Sequence, residues 1–161
     1  RDRSPSRGLG DVYKRQNTLS KNLKLACHMF SEHDIQPVFE MINGTDMPRF
    51  LVQNIAQAQE MLEAVQHPAL KMQYDCYHMA MMGEDVLQGL QENIQDIGHI
   101  QFADCPGRHE PDTAQIMYAN IFEWLQHSSY DGFIAAEYRP KTVSTQSFAW
   151  KAKYFAAHPQ S

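Results

Sequence analysis

The sequence predicts an α/β protein built as half of a (β/α)8 TIM barrel, with about four βα units. Segments with apolar residues at helical spacing alternate with short β-favouring segments along residues 17–161. Each βα unit spans roughly 30 residues, which is typical of a parallel sheet with helical crossovers. No GxGxxG or Walker-type loop follows a strand, so a nucleotide-binding doubly wound fold lacks its usual signature. A complete barrel has about 250 residues, whereas this chain has 161.

The first half of residues 17–161 contains two predicted helices and two predicted strands. Apolar residues recur three and four apart over about 18–33, which indicates an amphipathic helix. The segment QPVFEMI, residues 36–42, is short and apolar and predicts the first strand. Helical spacing returns over about 47–66, with Pro48 in the first turn, and LKMQYDCYH, residues 70–78, predicts the second strand.

The second half repeats this alternation. A helix is predicted from about Glu84 to Ile97, and Gly98 is a stop signal at the start of the third strand, residues 98–104. The loop 105–113 contains two prolines and a glycine, which separate this strand from the next helix. The remaining elements are, in order, a helix near 118–128, a strand over 131–138 and a helix over about 143–157.

The first sixteen residues, RDRSPSRGLGDVYKRQ, lack apolar periodicity and are rich in Arg, Ser and Gly. One interpretation is a disordered basic tail. The interpretation that we favour is a non-native segment, because DVYKRQ (Asp11–Gln16) resembles the translation of a transposon-end adapter used in DNA library preparation. Under this hypothesis residues 1–16 lie outside the fold, the native protein continues upstream of Asn17, and residues 17–161 are a partial TIM-barrel domain.

Charge and composition argue against several classes of protein. A net charge of −5 disfavours a nucleic-acid partner, because phosphate-binding surfaces need clustered Lys and Arg. No apolar run approaches the roughly 18 residues that cross a bilayer, and the chain does not open with a secretory signal pattern. Cys27, Cys76 and Cys105 follow no metal or redox spacing, so we expect free thiols in a reducing cytoplasm.

Each predicted strand has one potential oxygen ligand near its C-terminal end. In a barrel these ends meet on one face, where active sites lie. A lone acidic residue there is usually a loop contact or helix cap, but four successive strands repeat the pattern. Burying three unpaired carboxylates would cost several kcal/mol each without a cation, and an all-oxygen set suits Mg²⁺ or Mn²⁺. The candidate metal ligands are Glu40, Asp75, Gln101 and Glu137.

Five motifs occur in order within residues 18–156: FEMINGTDMP (39–48), QYDCYHM (73–79), IGHIQFAD (97–104), PGRHEP (106–111) and AEYRP (136–140). Together they resemble the C-terminal half of the hydroxypyruvate isomerase family, which belongs to the xylose-isomerase-like TIM barrels. The sequence departs from the family pattern at Cys105, where Asn is common, at Arg139, where Lys is usual, and at Gly44–Thr45, where a bulkier pair is common. These departures put fine substrate preference in doubt more than chemistry.

The resemblance implies a role for each candidate residue. Glu40 and Glu137 are expected to ligate the metal and to act as the acid/base pair. Asp75 and Gln101 are expected to complete the protein ligands around Mg²⁺ or Mn²⁺. Related ketose 3-epimerases typically have His where this chain has Gln101, so this residue points away from the epimerases.

Three further residues are expected near the substrate. The resemblance implies that His78 hydrogen-bonds substrate oxygens. It also implies that Arg108 faces the substrate, where its guanidinium suits a carboxylate. His109 adjoins Arg108, and its role is open between a substrate contact and a structural contact.

The activity implied by the resemblance is the interconversion of hydroxypyruvate and tartronate semialdehyde, with a small hydroxy-keto acid as substrate. A 2-oxo-tetronate isomerase or a ketose epimerase of the same superfamily is an alternative. Another alternative is a catalytically silent fragment, because a sheet without its first four strands has two unpaired edges and an exposed inner face. Two copies that close a barrel as a homo-oligomer are a further hypothesis.

Overall fold

Four parallel strands in the order β1-β2-β3-β4 form one sheet in the computed structural model of the protein, which describes residues 5–155. At least one helix lies between each strand and the next, as in a (β/α)8 barrel. The predicted α/β fold, part of a TIM barrel, is therefore confirmed. The strands are β1 (Val38–Glu40), β2 (Lys71–Asp75), β3 (Ile97–Phe102) and β4 (Ile134–Ala136). The helices are α1 (Pro5–Ser31), α2 (Ile55–Val65), α3 (Cys76–Met81), α4 (Val86–Asn93), α5 (Tyr118–His127) and α6 (Ala149–Phe155).

Alternate strand residues form the apolar layer of the core. Because side chains of a strand point to opposite faces in turn, this pattern leaves the residues between them for the other face of the sheet. Glu40, Gln73 and Gln101 belong to that second set and are only partly buried. The core residues of the strands, each at most 9% exposed, include Phe39, Met72, Tyr74, Ile100 and Phe102.

Aromatic rings join the last two helices to β3. The ring of Phe122 on α5 lies 5.3 Å from that of Phe102 in an edge-to-face arrangement and 5.0 Å from that of Tyr154 on α6. Trp150 lies 5.1 Å from Phe102, also edge-to-face. Burying a ring of this size contributes about 1.5–3 kcal/mol, and each aromatic pair adds about 0.5–1.5 kcal/mol. This cluster holds the third βα unit and the last helix together.

The second helix begins later than predicted. Helical spacing suggested a helix over about 47–66 with Pro48 in its first turn, but α2 begins at Ile55. The side chain of Asn54 accepts a hydrogen bond from Gln57 N, so Asn54 is the N-cap. Upstream, residues 44–49 form turns and a bend, because the side chain of Asn43 bonds to the following backbone and competes with a helix.

The second strand ends earlier than predicted. We predicted a strand over 70–78, but β2 stops at Asp75 and the short helix α3 follows at once. The cause is the Asp75 carboxylate, which accepts a hydrogen bond from Tyr77 N at 2.9 Å and caps the helix. His78 therefore lies on a helix, one turn after Asp75, rather than on a strand.

The other predicted elements are present with shorter bounds. Strands β1, β3 and β4 lie within or one residue outside the predicted segments, and α4 and α5 lie within theirs. Residues 94–96, predicted as the end of a helix, form a 3₁₀ turn. Residues 143–148 precede the last helix, α6, mainly as turns, and the predicted residues 156–157 lie outside the described part of the chain.

The first helix begins far upstream of its predicted start. It runs from Pro5, so residues 5–16 are helical and continuous with the helix predicted over 18–33. Proline suits the first turn of a helix, where its missing N–H is not needed. The Arg15 guanidinium donates to the Arg49 carbonyl at 3.0 Å, which joins this segment to the turns after β1. Both interpretations of residues 1–16, a disordered tail and a non-native segment, stay predictions.

The three cysteines, Cys27, Cys76 and Cys105, are free thiols in buried positions. Among the helices formed by residues 5–155, none has the length and apolarity needed to cross a membrane.

Gly89 on α4 packs closely against Tyr74 and Ile55, so a substitution there tests how tightly the core is packed. A Cβ added there would clash with the Tyr74 hydroxyl and come within 2.9 Å of Cδ1 of Ile55. The Tyr74 hydroxyl is held by a hydrogen bond to the Val86 carbonyl at 3.1 Å. We expect Gly89→Ala to lower the free energy of unfolding by about 1–3 kcal/mol, since overpacking exceeds the gain of about 1 kcal/mol in helix propensity. Urea denaturation followed by circular dichroism measures this change.

Gly10→Ala is the matched control, because Gly10 is also helical but a Cβ there would have nothing within 4 Å. This substitution should leave the free energy of unfolding unchanged or raise it by up to about 1 kcal/mol. Equal stabilisation by both substitutions would show that α4 does not approach Tyr74 as closely as described.

Candidate active site

The carboxyl edge of the sheet carries the polar side chains that the sequence singled out. Glu40 is the last residue of β1, and Asp75 is the last residue of β2. Gln101 lies one residue before the end of β3 and is paired in register with Asp75. Glu137 directly follows β4, and its backbone N–H donates to the Phe102 carbonyl at 3.1 Å. Parallel pairing thus brings all four residues to one edge, where barrel enzymes have their active sites.

Glu40, Asp75 and His78 form the tightest group at this edge. One potential ligand atom from each lies within 4.8 Å of the others. Nε2 of His78 lies 3.9 Å from Oε1 of Glu40 and 3.7 Å from Oδ2 of Asp75. These distances are too long for direct hydrogen bonds, and they suit an ion or a substrate oxygen lying between the groups.

The chemistry of this group fits a divalent cation. The Asp75 side chain is 0% exposed and that of Glu40 is 23% exposed. Within residues 5–155, the buried oxygen Oε1 of Glu40 has no hydrogen-bond partner. An unsatisfied buried acceptor costs about 1–3 kcal/mol, and more when it is charged. A buried and a partly buried carboxylate that share such a site are therefore suited to hold a hard cation with oxygen ligands.

Arg108 lies across the carboxylates. Its Nη2 is 3.0 Å from Oε2 of Glu137 and 3.4 Å from Oδ2 of Asp75, and its Cζ is 5.0 Å from the centre of the Tyr77 ring. The residue has a φ of 54° and follows Gly107 at a φ of 104°. A non-glycine residue in the left-handed region costs about 1–2 kcal/mol, so the surrounding contacts must hold Arg108 in place.

Asp104 organises the loop that carries Arg108, residues 105–116. It is fully buried, and its carboxylate is surrounded by backbone donors from both ends of the loop. Hydrogen bonds to a charged acceptor contribute about 1.5–3 kcal/mol each, so this set fixes the course of the loop. The donors, at 2.8–3.0 Å, are the N–H groups of Cys105, Thr113, Ala114 and Ile116.

Gln101 and Glu137 lie at the margin of the central group. The amide oxygen of Gln101 accepts a hydrogen bond from Nε2 of Gln73 at 2.6 Å. Glu137 is 52% exposed and is linked to Asp75 through Arg108. The structure thus brings two of the four predicted metal ligands, Glu40 and Asp75, together with His78. The four-ligand set stays a prediction.

His109 has a structural contact in this arrangement. Its Nδ1 lies 2.7 Å from the carbonyl of Arg139, and Arg139 N donates to the carbonyl of Arg108 at 2.7 Å. His109 therefore joins the loop 105–116 to the segment after β4, rather than contacting the carboxylates directly. The alternative of a substrate contact stays a prediction.

Burial is the main cause of the pKa shifts of Asp75, Glu40 and His78. It raises the pKa of Asp75 to about 7, against the opposing effects of the Tyr77 N–H and of Arg108. Burial also raises the pKa of Glu40, and the neighbouring amide of Gln73 partly offsets this effect. Burial lowers the pKa of His78 to about 4, and repulsion by Arg108 adds to it. The group therefore combines a neutral imidazole with carboxylates that retain protons more readily than usual.

Three residues beside His78 were not predicted from the sequence. Asn43 is fully buried, and its Nδ2 lies 2.6 Å from Nδ1 of His78 and 3.0 Å from Oδ2 of Asp46. The Tyr77 hydroxyl donates to the same Asp46 oxygen at 2.9 Å, and the hydrogen bond from Asn43 is the main cause that lowers the pKa of Asp46. The letters NGTD after the first strand are a turn signal, but they do not indicate a contact with His78.

The family of the chain follows from comparison with known proteins. Residues 4–154 match the family model of the xylose isomerase-like TIM barrel. The chain belongs to this family. Its fold, and the polar residues at the carboxyl ends of its strands, agree with that assignment.

Two curated relatives are isomerases. The chain is 36% identical to a hydroxypyruvate isomerase of Escherichia coli over 137 residues, which are 85% of this chain and 53% of the relative. It is 35% identical to a 2-oxo-tetronate isomerase of Cupriavidus necator over the same shares of both chains. The resemblance to the hydroxypyruvate isomerases is confirmed. The chain spans about half the length of these relatives.

A solved structure shows the same fold. The crystal structure of an AP endonuclease, family 2, from Brucella melitensis superposes with a TM-score of 0.82 at 28% sequence identity. The superposition covers 86% of this chain and 54% of that protein.

The raised pKa of Asp75 predicts how the stability of the metal-free chain depends on pH. Between about pH 4 and pH 7 the folded chain holds a proton at Asp75 that the unfolded chain releases, so stability falls as pH rises through this range. We expect Asp75→Asn to remove this dependence and to be more stable than the parent above about pH 8, by up to about 4 kcal/mol. Urea unfolding at several pH values in the presence of EDTA measures the difference.

Glu63→Gln provides the control, since Glu63 lies on the exposed face of α2. This variant should show the same fall in stability between about pH 4 and pH 7 as the parent, because Asp75 is unchanged. If Asp75→Asn behaves like Glu63→Gln, the Asp75 carboxylate is not buried as described.

Proposed function

We propose that the protein acts as a metal-dependent aldose–ketose type isomerase that interconverts hydroxypyruvate and tartronate semialdehyde. The observation that carries this proposal is the pair of carboxylates, the buried Asp75 and the partly buried Glu40, at the carboxyl edge of a sheet of this family. The similarity to a hydroxypyruvate isomerase supports the choice of substrate.

Four side chains would hold the cation: Glu40, Asp75, Gln101 and Glu137. Three carboxylates and an amide oxygen are hard ligands, which favours Mg²⁺ or Mn²⁺. When bound, such a cation supplies Lewis-acid stabilisation of the negative charge that develops on the substrate oxygens. The unpartnered Oε1 of Glu40 is the atom whose environment most supports this assignment.

The reaction moves one proton between adjacent carbons through an enediolate, while the hydroxyl proton passes from the oxygen of the first carbon to the oxygen of the second. One glutamate removes a proton from the hydroxymethyl carbon of hydroxypyruvate, and a carboxyl group delivers a proton to the neighbouring carbonyl carbon. Glu40 and Glu137 are the pair that we assign to these steps. The raised pKa of Glu40 favours this use, because a general acid or base works best when its pKa is near the operating pH.

Arg108 and His78 would bind the polar groups of the substrate. The guanidinium of Arg108 already lies beside two carboxylates, and its planar fork suits the carboxylate of a keto acid. The neutral imidazole of His78 faces the same space with Nε2. Together they would orient the reacting carbons between the two glutamates.

A second candidate is the isomerisation of a 2-oxo-tetronate. The relative with this activity is 35% identical, close to the 36% of the hydroxypyruvate isomerase, so the chemistry would be shared and the substrate longer by one carbon. The ratio of kcat/KM for hydroxypyruvate and for 2-oxo-tetronates, measured on the complete product of the gene, separates the two. A ratio above one supports the first candidate, and a ratio below one supports the second.

Metal binding can be tested on this chain directly. We expect Mn²⁺ to bind, and Asp75→Asn to weaken binding at least about tenfold because a buried ligand is lost. Loss of the signal of free Mn²⁺ in electron paramagnetic resonance measures the affinity. The control Glu63→Gln should bind like the parent, and equal affinity of Asp75→Asn would contradict the assignment of Asp75 as a ligand.

Catalysis can be tested by removing each proposed acid/base group. In the complete product of the gene, Glu40→Gln and Glu137→Gln should each lower kcat by about 100-fold or more, because an amide cannot exchange the proton. Glu123→Gln, an exposed position on α5, should retain normal kcat. Near-normal turnover of hydroxypyruvate by either of the first two variants would refute the acid/base assignment.

A further inference from the structure

His78 is held by Asn43, whose position bears on which ring nitrogen carries the proton. Nδ2 of Asn43 lies 2.6 Å from Nδ1 of His78, and both groups are buried. The backbone N–H of Asn43 points to the same ring nitrogen at 3.5 Å. Nδ1 of His78 thus faces two nitrogen atoms, one from the amide and one from the backbone. Toward these two donors Nδ1 can only accept.

The orientation of the Asn43 amide follows from its other contacts. Its oxygen accepts hydrogen bonds from Thr45 N at 3.0 Å and Asp46 N at 2.8 Å. Its nitrogen donates to Oδ2 of Asp46 at 3.0 Å. Turning the amide by half a rotation would set its oxygen against a carboxylate and its NH₂ group against two N–H groups. Only the described orientation satisfies all partners.

We infer that Asn43 is a positioning residue that holds neutral His78 in the tautomer with the proton on Nε2. Because Nδ1 accepts from Asn43, the ring proton must lie on Nε2, which faces Glu40 and Asp75. His78 therefore presents the Nε2–H donor to the carboxylates of Glu40 and Asp75. Its protonated Nε2 has no lone pair with which to bind a metal ion. Asn43 in this way sets the chemical role of a residue on a different element of the fold.

This tautomer deepens the proposed function and rests on it. In the proposed reaction the Nε2–H group of His78 donates a hydrogen bond to a substrate oxygen. The proximity of His78 to Glu40 and Asp75 would otherwise make it a candidate metal ligand. With Nε2 protonated, the metal is left to oxygen ligands alone, which favours Mg²⁺ or Mn²⁺ over Zn²⁺.

The first experiment reads the tautomer in the unchanged chain. Long-range ¹H–¹⁵N correlation spectra of the metal-free protein, with His78→Gln used to assign the signals, distinguish a protonated ring nitrogen from an unprotonated one. We expect His78 to show a protonated Nε2 and an unprotonated Nδ1. A protonated Nδ1 would overturn the inference without any variant of Asn43.

The second experiment exchanges donor and acceptor. In the double variant Asn43→Asp with Asp46→Asn, residue 43 keeps an oxygen for the turn but offers a second oxygen to His78, and residue 46 supplies the amide that pairs with it. We expect the proton of His78 to move to Nδ1. Asp46→Asn alone is the control and should retain the Nε2 proton. An Nε2 proton in the double variant would overturn the inference.

Metal selectivity provides a separate readout. In the double variant the lone pair of Nε2 faces Glu40 and Asp75, so His78 should join them as a ligand. We expect the affinity for Zn²⁺ relative to Mg²⁺ to rise about tenfold or more over that of the parent, as measured by calorimetry. An unchanged ratio would contradict the inference. The tautomer spectra need neither metal nor substrate, so they stand or fall independently of isomerase activity.

Discussion

The burial of the Asp75 carboxylate is the constraint on which the site depends. The side chain is removed from water at the junction of β2 and α3, where an ionised group is costly without compensation. One oxygen begins α3 by accepting the Tyr77 N–H, and the other lies near Arg108 and His78. The same residue therefore ends a strand, starts a helix and gathers the polar groups of the candidate site. Any change in its charge affects fold and site together.

Much of the architecture is predictable because it depends on short-range patterns. The alternation of periods identifies four strands, and parallel pairing necessarily brings their carboxyl ends to one edge. The positions of Glu40, Asp75, Gln101 and Glu137 at that edge follow from this alone. The family resemblance then supplied their expected roles, and the comparisons support the family. The part of the site that follows from topology can therefore be predicted from the sequence.

The remaining features depend on individual side chains that contact distant backbone. Periodicity could not show that Asp75 would end the second strand, because capping by one carboxylate outweighs the β propensity of the next residues. It likewise placed a helix start at Pro48, where the side chain of Asn43 instead bonds to the backbone of a turn. The contact between Asn43 and His78 joins residues 35 positions apart, and no local pattern encodes it. These contacts decide how the reactive groups are oriented.

The loop 105–116 shows how a site of this kind can change during evolution. Much of its course is set by one carboxylate, Asp104, whose donors within residues 5–155 are backbone N–H groups. Because every residue except proline has such a group, most side chains of the loop can be exchanged while its path is retained. Gly107 is the exception, since its φ of 104° excludes other side chains. The side chains of the loop can therefore change by point mutation while Arg108 keeps its place, so the lining of the candidate site and the position of this guanidinium can evolve separately.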